Sequence, residues 1–338
     1  MTNHTRRDLV VVGASAGGVE ALRALVASLP QDFPASVLIV LHVPARSPSA
    51  LPAILNRATG LTVRQARDGD ELAPGTVLVA PPDYHLIVYD GAITLSHGPQ
   101  ENGHRPAIDV LFRSAARARG PKVVGVVLSG ALDDGAAGMV SITQRGGGAL
   151  IQDFDEALHD SMPRAAAAAV PDATVARVEH MTKCLEQLLD GPVPETPGAS
   201  ALMEMETAMA DLDPKAMHHE RRPGRPSGFA CPDCHGALFE INDGPLVRYR
   251  CRVGHAWSPE SLVARQSVDL ESALWMALRS LEEKAGLSRQ LGARALERGH
   301  DLASDRFDED AEEAVRAAEL LRDLISRVAE NPPSPARE

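Results

Sequence analysis

Ser15 lies in Gly13-Ala14-Ser15-Ala16-Gly17-Gly18, directly after the apolar run 9–12. An apolar strand that ends in a glycine-rich turn and gives way at once to a helix exposes this hydroxyl beside unpaired N–H groups, where negative charge is stabilised. The Gly13-x-Ser15-x-Gly17 spacing is that of a nucleophile elbow. A glycine-rich phosphate loop uses the same strand, turn and helix, and this segment alone does not separate the two. A serine hydroxyl becomes a nucleophile when a base removes its proton and a third group orients that base. His42, in Leu41-His42-Val43-Pro44, closes a second apolar strand, and Asp133 and Asp134 follow the strand over 122–129. Taken singly, a histidine closing a strand is an ordinary surface or capping residue, and an Asp-Gly is a turn or helix cap. On one rim of a parallel sheet, where active sites collect, the three strand ends together offer a serine, a histidine and an acid.

A second group of residues suits a metal. Cys231-Pro232-Asp233-Cys234 is followed, after sixteen residues, by Cys251-Arg252-Val253-Gly254-His255. Two close ligand pairs on separate turns fit tetrahedral zinc, and four protein ligands make a closed, structural site. Between them the chain alternates apolar and polar residues around Asn242-Asp243-Gly244, a favoured hairpin turn, which completes a small zinc ribbon. His235 is an alternative to His255, but it adjoins Cys234 and reaches the site awkwardly. Cys184, among apolar helical neighbours, is expected in the core.

The elements that position these residues follow from periodicity. Apolar runs predict strands over 9–12, 37–42, 76–80, 122–129 and 149–153, several continuous enough to be buried on both faces. Three- and four-residue spacing predicts helices over 18–29, 50–57, 108–117, 136–144 and 182–189. The fold class is therefore α/β: a doubly wound, mostly parallel sheet with helices on both faces, plus the zinc ribbon and a C-terminal helical hairpin. Residues 85–89 and 92–96 read as a hairpin insertion. Prolines and glycines break the pattern after Gly191. The expected division is a catalytic domain over 1–193, a linker over 194–228 with a short Met-rich helix from Ala201, the ribbon over 229–258, the hairpin over 259–330 and a disordered tail over 331–338. Leu262, Leu270, Leu274, Leu278 and Leu281 form one apolar stripe of that hairpin, and Leu320, Leu321 and Leu324 belong to the other.

Composition narrows the function classes. The 338 residues are 44% hydrophobic and 3% aromatic, so the core is built mostly from Ala, Val, Leu and Ile. A net charge of −12 argues against nucleic acid as a partner. The N-terminus shows no signal-peptide pattern, and no apolar stretch approaches a membrane span of roughly 20 residues. A cytoplasmic protein that meets the membrane only through partners is expected, and its four cysteines suit a metal better than disulfides.

Residues 8 to about 190 resemble the catalytic domain of the chemotaxis protein-glutamate methylesterases, the CheB family. The resemblance rests on Val12-Gly13-Ala14-Ser15-Ala16-Gly17-Gly18, Leu41-His42-Val43-Pro44, Ala80-Pro81-Pro82-Asp83-Tyr84-His85, Arg105-Pro106-Ala107-Ile108-Asp109-Val110-Leu111-Phe112, Asp134-Gly135-Ala136-Ala137-Gly138-Met139 and Ser161-Met162-Pro163-Arg164. It implies Ser15 as nucleophile, His42 as base and Asp134 as acid, with Asp133 outside the triad. The N–H groups of Ala16 and Gly17 are the expected oxyanion donors. The implied reaction is hydrolysis of glutamate γ-methyl esters on methyl-accepting chemotaxis receptors, with deamidation of receptor glutamines by the same chemistry and no cofactor for catalysis. The order Ser, His, Asp differs from the α/β-hydrolase order. A nucleotide-binding reading lacks the ribose-binding acid about twenty residues past the glycines.

Two departures stand out. The family's Gly-Met-Gly-x-Asp-Gly is here Gly130-Ala131-Leu132-Asp133-Asp134-Gly135, so Leu132 in place of a positive-φ glycine is expected to divert the loop. Family members usually carry a phosphorylatable receiver domain, and the expectation here is a chain without that switch. A similar ribbon followed by helices occurs behind stand-alone methylesterase domains. Here it is expected to act as a regulatory or docking module, or else as a stabilising cap. The alternative to an esterase is a catalytically weak scaffold that binds receptors, a chemosensory kinase or a regulator through the ribbon and helices.

Overall fold

Every residue of the first strand, Leu9–Ala14 (β1), is buried, yet its side chains divide between two cores. Leu9 and Val11 join the core that includes Ile108, Phe112, Met139 and Met162. Val10 and Val12 join the one that includes Leu22, Leu25, Leu55 and Leu185. Successive side chains of a strand point to opposite faces, so a strand apolar at every position is one covered by helices on both sides.

The structure, a computed structural model, describes residues 6–46, 49–89, 91–195, 198–218 and 224–330. After β1 the strands are β2 (Ser36–Leu41), β3 (Thr62–Gln65), β4 (Thr76–Val79), β5 (His85–Tyr89), β6 (Ala92–Ser96), β7 (Val123–Val127), β8 (Gly148–Gln152), β9 (Thr174–Ala176), β10 (Arg225–Ala230), β11 (Ala237–Asp243), β12 (Leu246–Cys251) and β13 (Ala256–Trp257). The helices are α1 (Gly18–Ser28), α2 (Leu51–Asn56), α3 (Ile108–Arg119), α4 (Ala136–Gln144), α5 (Ser161–Ala169), α6 (Val178–Asp190), α7 (Ala201–Ala210), α8 (Pro214–His218), α9 (Pro259–Glu297) and α10 (Asp301–Glu330).

Seven strands form a parallel sheet in the order β3-β4-β2-β1-β7-β8-β9. Residues of α3, α4 and α5 cover one face, and residues of α1, α2 and α6 the other. The sheet is the doubly wound one expected. The strand order reverses at β1, where β2 lies to one side and β7 to the other, and a doubly wound sheet opens a crevice at such a switch point. The expected hairpin is β5 and β6. Cys184 is only partly buried, at the edge of the second core. No described helix is long and apolar enough to cross a membrane.

The span read as a linker contains α7 and α8, and α7 is capped by Ser200, whose hydroxyl accepts from Met203 N–H. The expected tail over 331–338 lies outside the described residues. Strands β10 to β13 form a four-stranded antiparallel sheet around Cys231, Leu238, Cys251 and Trp257. That ribbon packs on the α/β layer through buried charges. Glu101 receives Arg113 and Arg250, and Glu206 receives Arg248 and Arg250. Buried ions persist only when paired in this way.

The chain divides into two compact units at Leu262. The second holds most of α9 together with α10. Its seam is Leu278, Ala318 and Ile325, flanked by Leu274, Leu281 and Leu321. The expected stripes are corrected in part. Leu262 belongs to the ribbon core, Leu270 is half exposed, and Leu320 and Leu324 face solvent. The buried apolar positions of α10 are instead Ala311, Ala314, Ala318 and Ile325, and small side chains let two helices approach closely.

Candidate active site

Each expected triad residue stands just beyond the C-terminal end of a central strand. Ser15 follows β1, His42 follows β2 and Asp134 lies in the loop between β7 and α4. Main-chain bonds tie these ends together: Ser15 N–H donates to Ser129 O (2.9 Å) and His42 N–H to Ala14 O (3.1 Å). Gly13 is needed for close approach, because a Cβ there would meet the Ile108 side chain at 2.3 Å. Gly17 has φ +72°, the left-handed conformation that lets the chain turn from strand into α1.

The three side chains form one hydrogen-bonded line. His42 Nδ1 is 3.0 Å from Ser15 Oγ, and His42 Nε2 is 2.8 Å from Asp134 Oδ2. With Asp134 accepting the Nε2–H, the Nδ1 lone pair faces the serine hydroxyl. The His42 side chain is 5% exposed and that of Asp134 2%, so their attraction acts with little solvent screening.

Asp134 also caps a helix. Its Oδ2 accepts Ile108 N–H (2.7 Å), and its Oδ1 accepts Asp109 N–H (3.1 Å) and an amide hydrogen of Asn102 (3.1 Å). Ile108 and Asp109 open α3, where the helix dipole favours an anion. Burial alone would push the carboxyl up; its bond to His42, the nearby imidazoles and the Ile108 N–H outweigh this and hold it well below the usual range. Asp109 shifts the opposite way, raised by burial and by Asp134. Its Oδ1 accepts the N–H groups of Gly135 and Gly138.

Asp133 turns away from the triad. Its Oδ1 accepts the Ser258 hydroxyl (2.7 Å), and it lines a cavity of about 220 Å³ with Asp109, Arg248 and Glu260. Burial raises its carboxyl to about 7, and Glu260 and Asp134 add to the effect.

Leu132 takes the left-handed conformation itself, at φ +60°, and is 37% exposed. A non-glycine residue holds this conformation at a cost of about 1–2 kcal/mol. The N–H groups of Ala16 and Gly17 have no backbone acceptor among the described residues and stand at the N-terminus of α1 beside Ser15. An oxyanion on a carbonyl attacked by Ser15 would find them free.

Two residues beside the triad carried no sequence signal. His104 stacks on His42, and Asn102 bridges Asp134 and Asp109. Both lie in a turn before the Arg105-Pro106 motif, and neither falls on a periodic face. Arg105 fixes that turn, donating to Asp83 (2.7 and 2.9 Å) and to the carbonyls of His97 and Gly98.

The cysteine group lies apart in the ribbon. Cys231, Cys234, Cys251 and His255 bring one donor atom each within 4.8 Å of one another. Cys234 and Cys251 sulfurs are 3.6 Å apart, and His255 Nδ1 is 3.7 Å from Cys231 Sγ and 3.5 Å from Cys251 Sγ. Tetrahedral zinc with about 2.3 Å to sulfur and about 2.0 Å to nitrogen requires edges of roughly 3.8 and 3.5 Å. The four side chains fit that ion. His235, with φ +57°, is exposed and outside the group.

A family model described as CheB methylesterase matches residues 10–185. The protein-glutamate methylesterase/protein-glutamine glutaminase 1 of Xanthomonas campestris pv. campestris is 43% identical over 166 residues, covering 48% of this chain and 46% of that protein. The corresponding protein 2 of Methanosarcina mazei is 39% identical over 165 residues, covering 46% and 45%. The crystal structure of the Thermotoga maritima CheB methylesterase catalytic domain aligns with a TM-score of 0.51 and 30% identity, covering 54% of this chain and 98% of that one. The chain spans about half the length of the curated relatives it matches. With its matched region exceeding half of its 338 residues, the chain belongs to the CheB methylesterase family.

Proposed function

We propose that this protein is a serine hydrolase that removes methyl groups from glutamate γ-methyl esters of methyl-accepting chemotaxis receptors in the cytoplasm. The observation that carries the reading is the continuous line from Ser15 Oγ through the His42 ring to Asp134. His42 Nδ1 takes the proton of Ser15 Oγ as that oxygen bonds to the ester carbonyl carbon. Asp134 keeps the Nε2–H in place and stabilises the imidazolium. The negative carbonyl oxygen is met by the N–H groups of Ala16 and Gly17, each contributing about 3 kcal/mol. His42 returns the proton to the departing methoxide, which leaves as methanol. Water then attacks the acyl-serine with His42 again as base, and Ser15 is released beside a free carboxylate. A glutamine side chain reacts by the same steps with ammonia as leaving group, in keeping with the glutaminase activity in the relatives' names.

Cys231, Cys234, Cys251 and His255 would hold one zinc ion. With four protein ligands the ion supplies folding energy and leaves no position for substrate. The hydrolysis needs no metal in this scheme.

Turnover of methylated receptor in ¹⁸O-labelled water tests attack at the ester carbonyl carbon, which the acyl-serine route requires, against attack at the methyl carbon. The label is expected in the glutamate carboxylate, with unlabelled methanol. Labelled methanol would overturn it.

A further inference from the structure

The Asn102 side chain hydrogen-bonds both to the triad acid and to the C-terminal segment that packs beside it. Its side chain is fully engaged. Nδ2 donates to Asp134 Oδ1 (3.1 Å) and Asp109 Oδ2 (3.1 Å), and Oδ1 accepts from Ser258 N–H (2.9 Å) and the Ser261 hydroxyl (3.0 Å). The orientation of the amide is forced: only its NH2 can satisfy two carboxylates, and only its oxygen can accept a backbone N–H. Its own N–H donates to Ala256 O (2.7 Å), and its backbone sits at φ +53°. Asn102, Ser258 and Ser261 are all buried, so any lost partner leaves a polar group unsatisfied.

The groups on Oδ1 come from the first turn of α9. Ser258 caps that helix, its hydroxyl accepting Ser261 N–H (3.0 Å) and donating to Asp133. The neighbouring residue, Glu101, is paired with Arg250 at 2.9 Å, and Trp257 lies under Gly103 at 3.6 Å from where a Cβ would be. The turn 101–104 is thus held from the ribbon side along its length.

We infer that Asn102 is a positioning residue for Asp134, and that its orientation is set by the C-terminal segment through Ala256, Ser258 and Ser261. The inference rests on the reading of Ser15, His42 and Asp134 as a hydrolytic triad. Asp134 is faced by His42 and His104, by the N–H groups opening α3, by Asp109 across the amide, and by Asp133 with Glu260 beyond it. Among these Asn102 is the side-chain amide that fixes the Oδ1 lone pairs, leaving Oδ2 for His42. The ribbon and the base of α9 are then working parts of the active site, and a lid over it is not their role. Without them Asn102 would lose three of its five hydrogen bonds.

The test uses the full chain and the rate at which a fluorophosphonate labels Ser15, followed from pH 5 to 9. This reports triad chemistry without any receptor. Wild type, Asn102→Ala, Ser261→Ala and the unreactive control Ser15→Ala are compared, with thermal unfolding as the check of folding. Asn102→Ala is expected to slow labelling by about 10- to 100-fold. It should also move the acid limb of the profile to higher pH, because an Asp134 charge relieved of one donor holds the His42 proton more tightly. Ser261→Ala, which leaves Asn102 in place, is expected to shift the limb in the same direction by less. A merely structural role would lower the unfolding temperature and leave the limb where it is. Folded variants with the wild-type rate and limb would overturn the inference. If Asn102→Ala fails to fold, an unmoved limb in Ser261→Ala overturns it. An unlabelled wild type would remove the triad reading, and the inference with it.

Discussion

The His104 ring lies flat against the His42 ring, with centroids 3.6 Å apart and planes 10° from parallel. Burial, together with the neighbouring His42, holds the His104 imidazole down to about 4, so it is neutral wherever the triad works. A neutral ring on that face shields His42 from water and fixes its tilt, without adding a charge that would oppose the imidazolium of the proposed hydrolysis.

His104→Ala is therefore expected to lower kcat/KM about 3- to 10-fold, the equivalent of one lost ring stack, while His104→Phe retains most activity. The two substitutions also separate in acid. The folded state keeps His104 unprotonated while the unfolded chain takes up a proton, so the wild type loses stability as pH falls from about 6.5 towards 4. Urea midpoints at pH 7 and pH 5 should show His104→Phe losing less, by about 1–2 kcal/mol. Equal losses would contradict the buried, neutral imidazole.

Leu132 carries a strain that glycine would relieve. Leu132→Gly is expected to stabilise the protein by about 0.5–1 kcal/mol, less than the full left-handed cost because glycine frees the unfolded chain. A higher thermal midpoint with unchanged esterase activity is the result to look for. A lower midpoint would mean that the Leu132 side chain packs usefully despite its exposure.

Asp133 gives the opposite pH dependence to His104. Its folded-state carboxyl is raised to about 7, so between about pH 4 and 7 the folded state holds a proton that the unfolded chain has released, and stability declines as pH rises. Asp133→Asn keeps an acceptor for Ser258 and removes that decline. The variant should match wild type near pH 4 and exceed it at pH 8 by about 1–3 kcal/mol. Parallel stability curves for the two proteins would refute the raised carboxyl.

How much of this was legible beforehand differs by residue. Ser15 and His42 could be located because each closes an apolar run that must be a buried parallel strand, and topology then brings those ends to one rim. The choice of Asp134 over Asp133 came from the family resemblance. Spacing could not make it, since the two adjoin and only the loop geometry turns one inward. Strands β3 and β9 were not expected: Thr62–Gln65 and Thr174–Ala176 are short edge strands with little buried apolar surface. His104 and Asn102 escaped for a different reason. They act through a ring stack and an amide bridge between segments far apart in sequence, and periodicity carries no trace of either.

The cysteine and histidine group makes a prediction independent of catalysis. Elemental analysis should find one zinc per chain, and Cys251→Ser should lose it. A strong chelator should lower the hydrogen-exchange protection of β11 and β12 before that of β1, since metal binding and folding of such a ribbon are coupled. Protection that falls first in β1, or a metal-free protein with a fully protected ribbon, would refute a structural ion.

Methanol release from methylated receptors reads out the ester hydrolysis proposed for Ser15. Receptor carrying isotopically labelled methyl esters would be incubated with the full chain and with Ser15→Ala. Volatile label released by the wild type and absent with Ser15→Ala, with the unfolding temperature unchanged, is the result the triad geometry predicts. Equal release by both proteins, or none from a well-folded wild type, would contradict it.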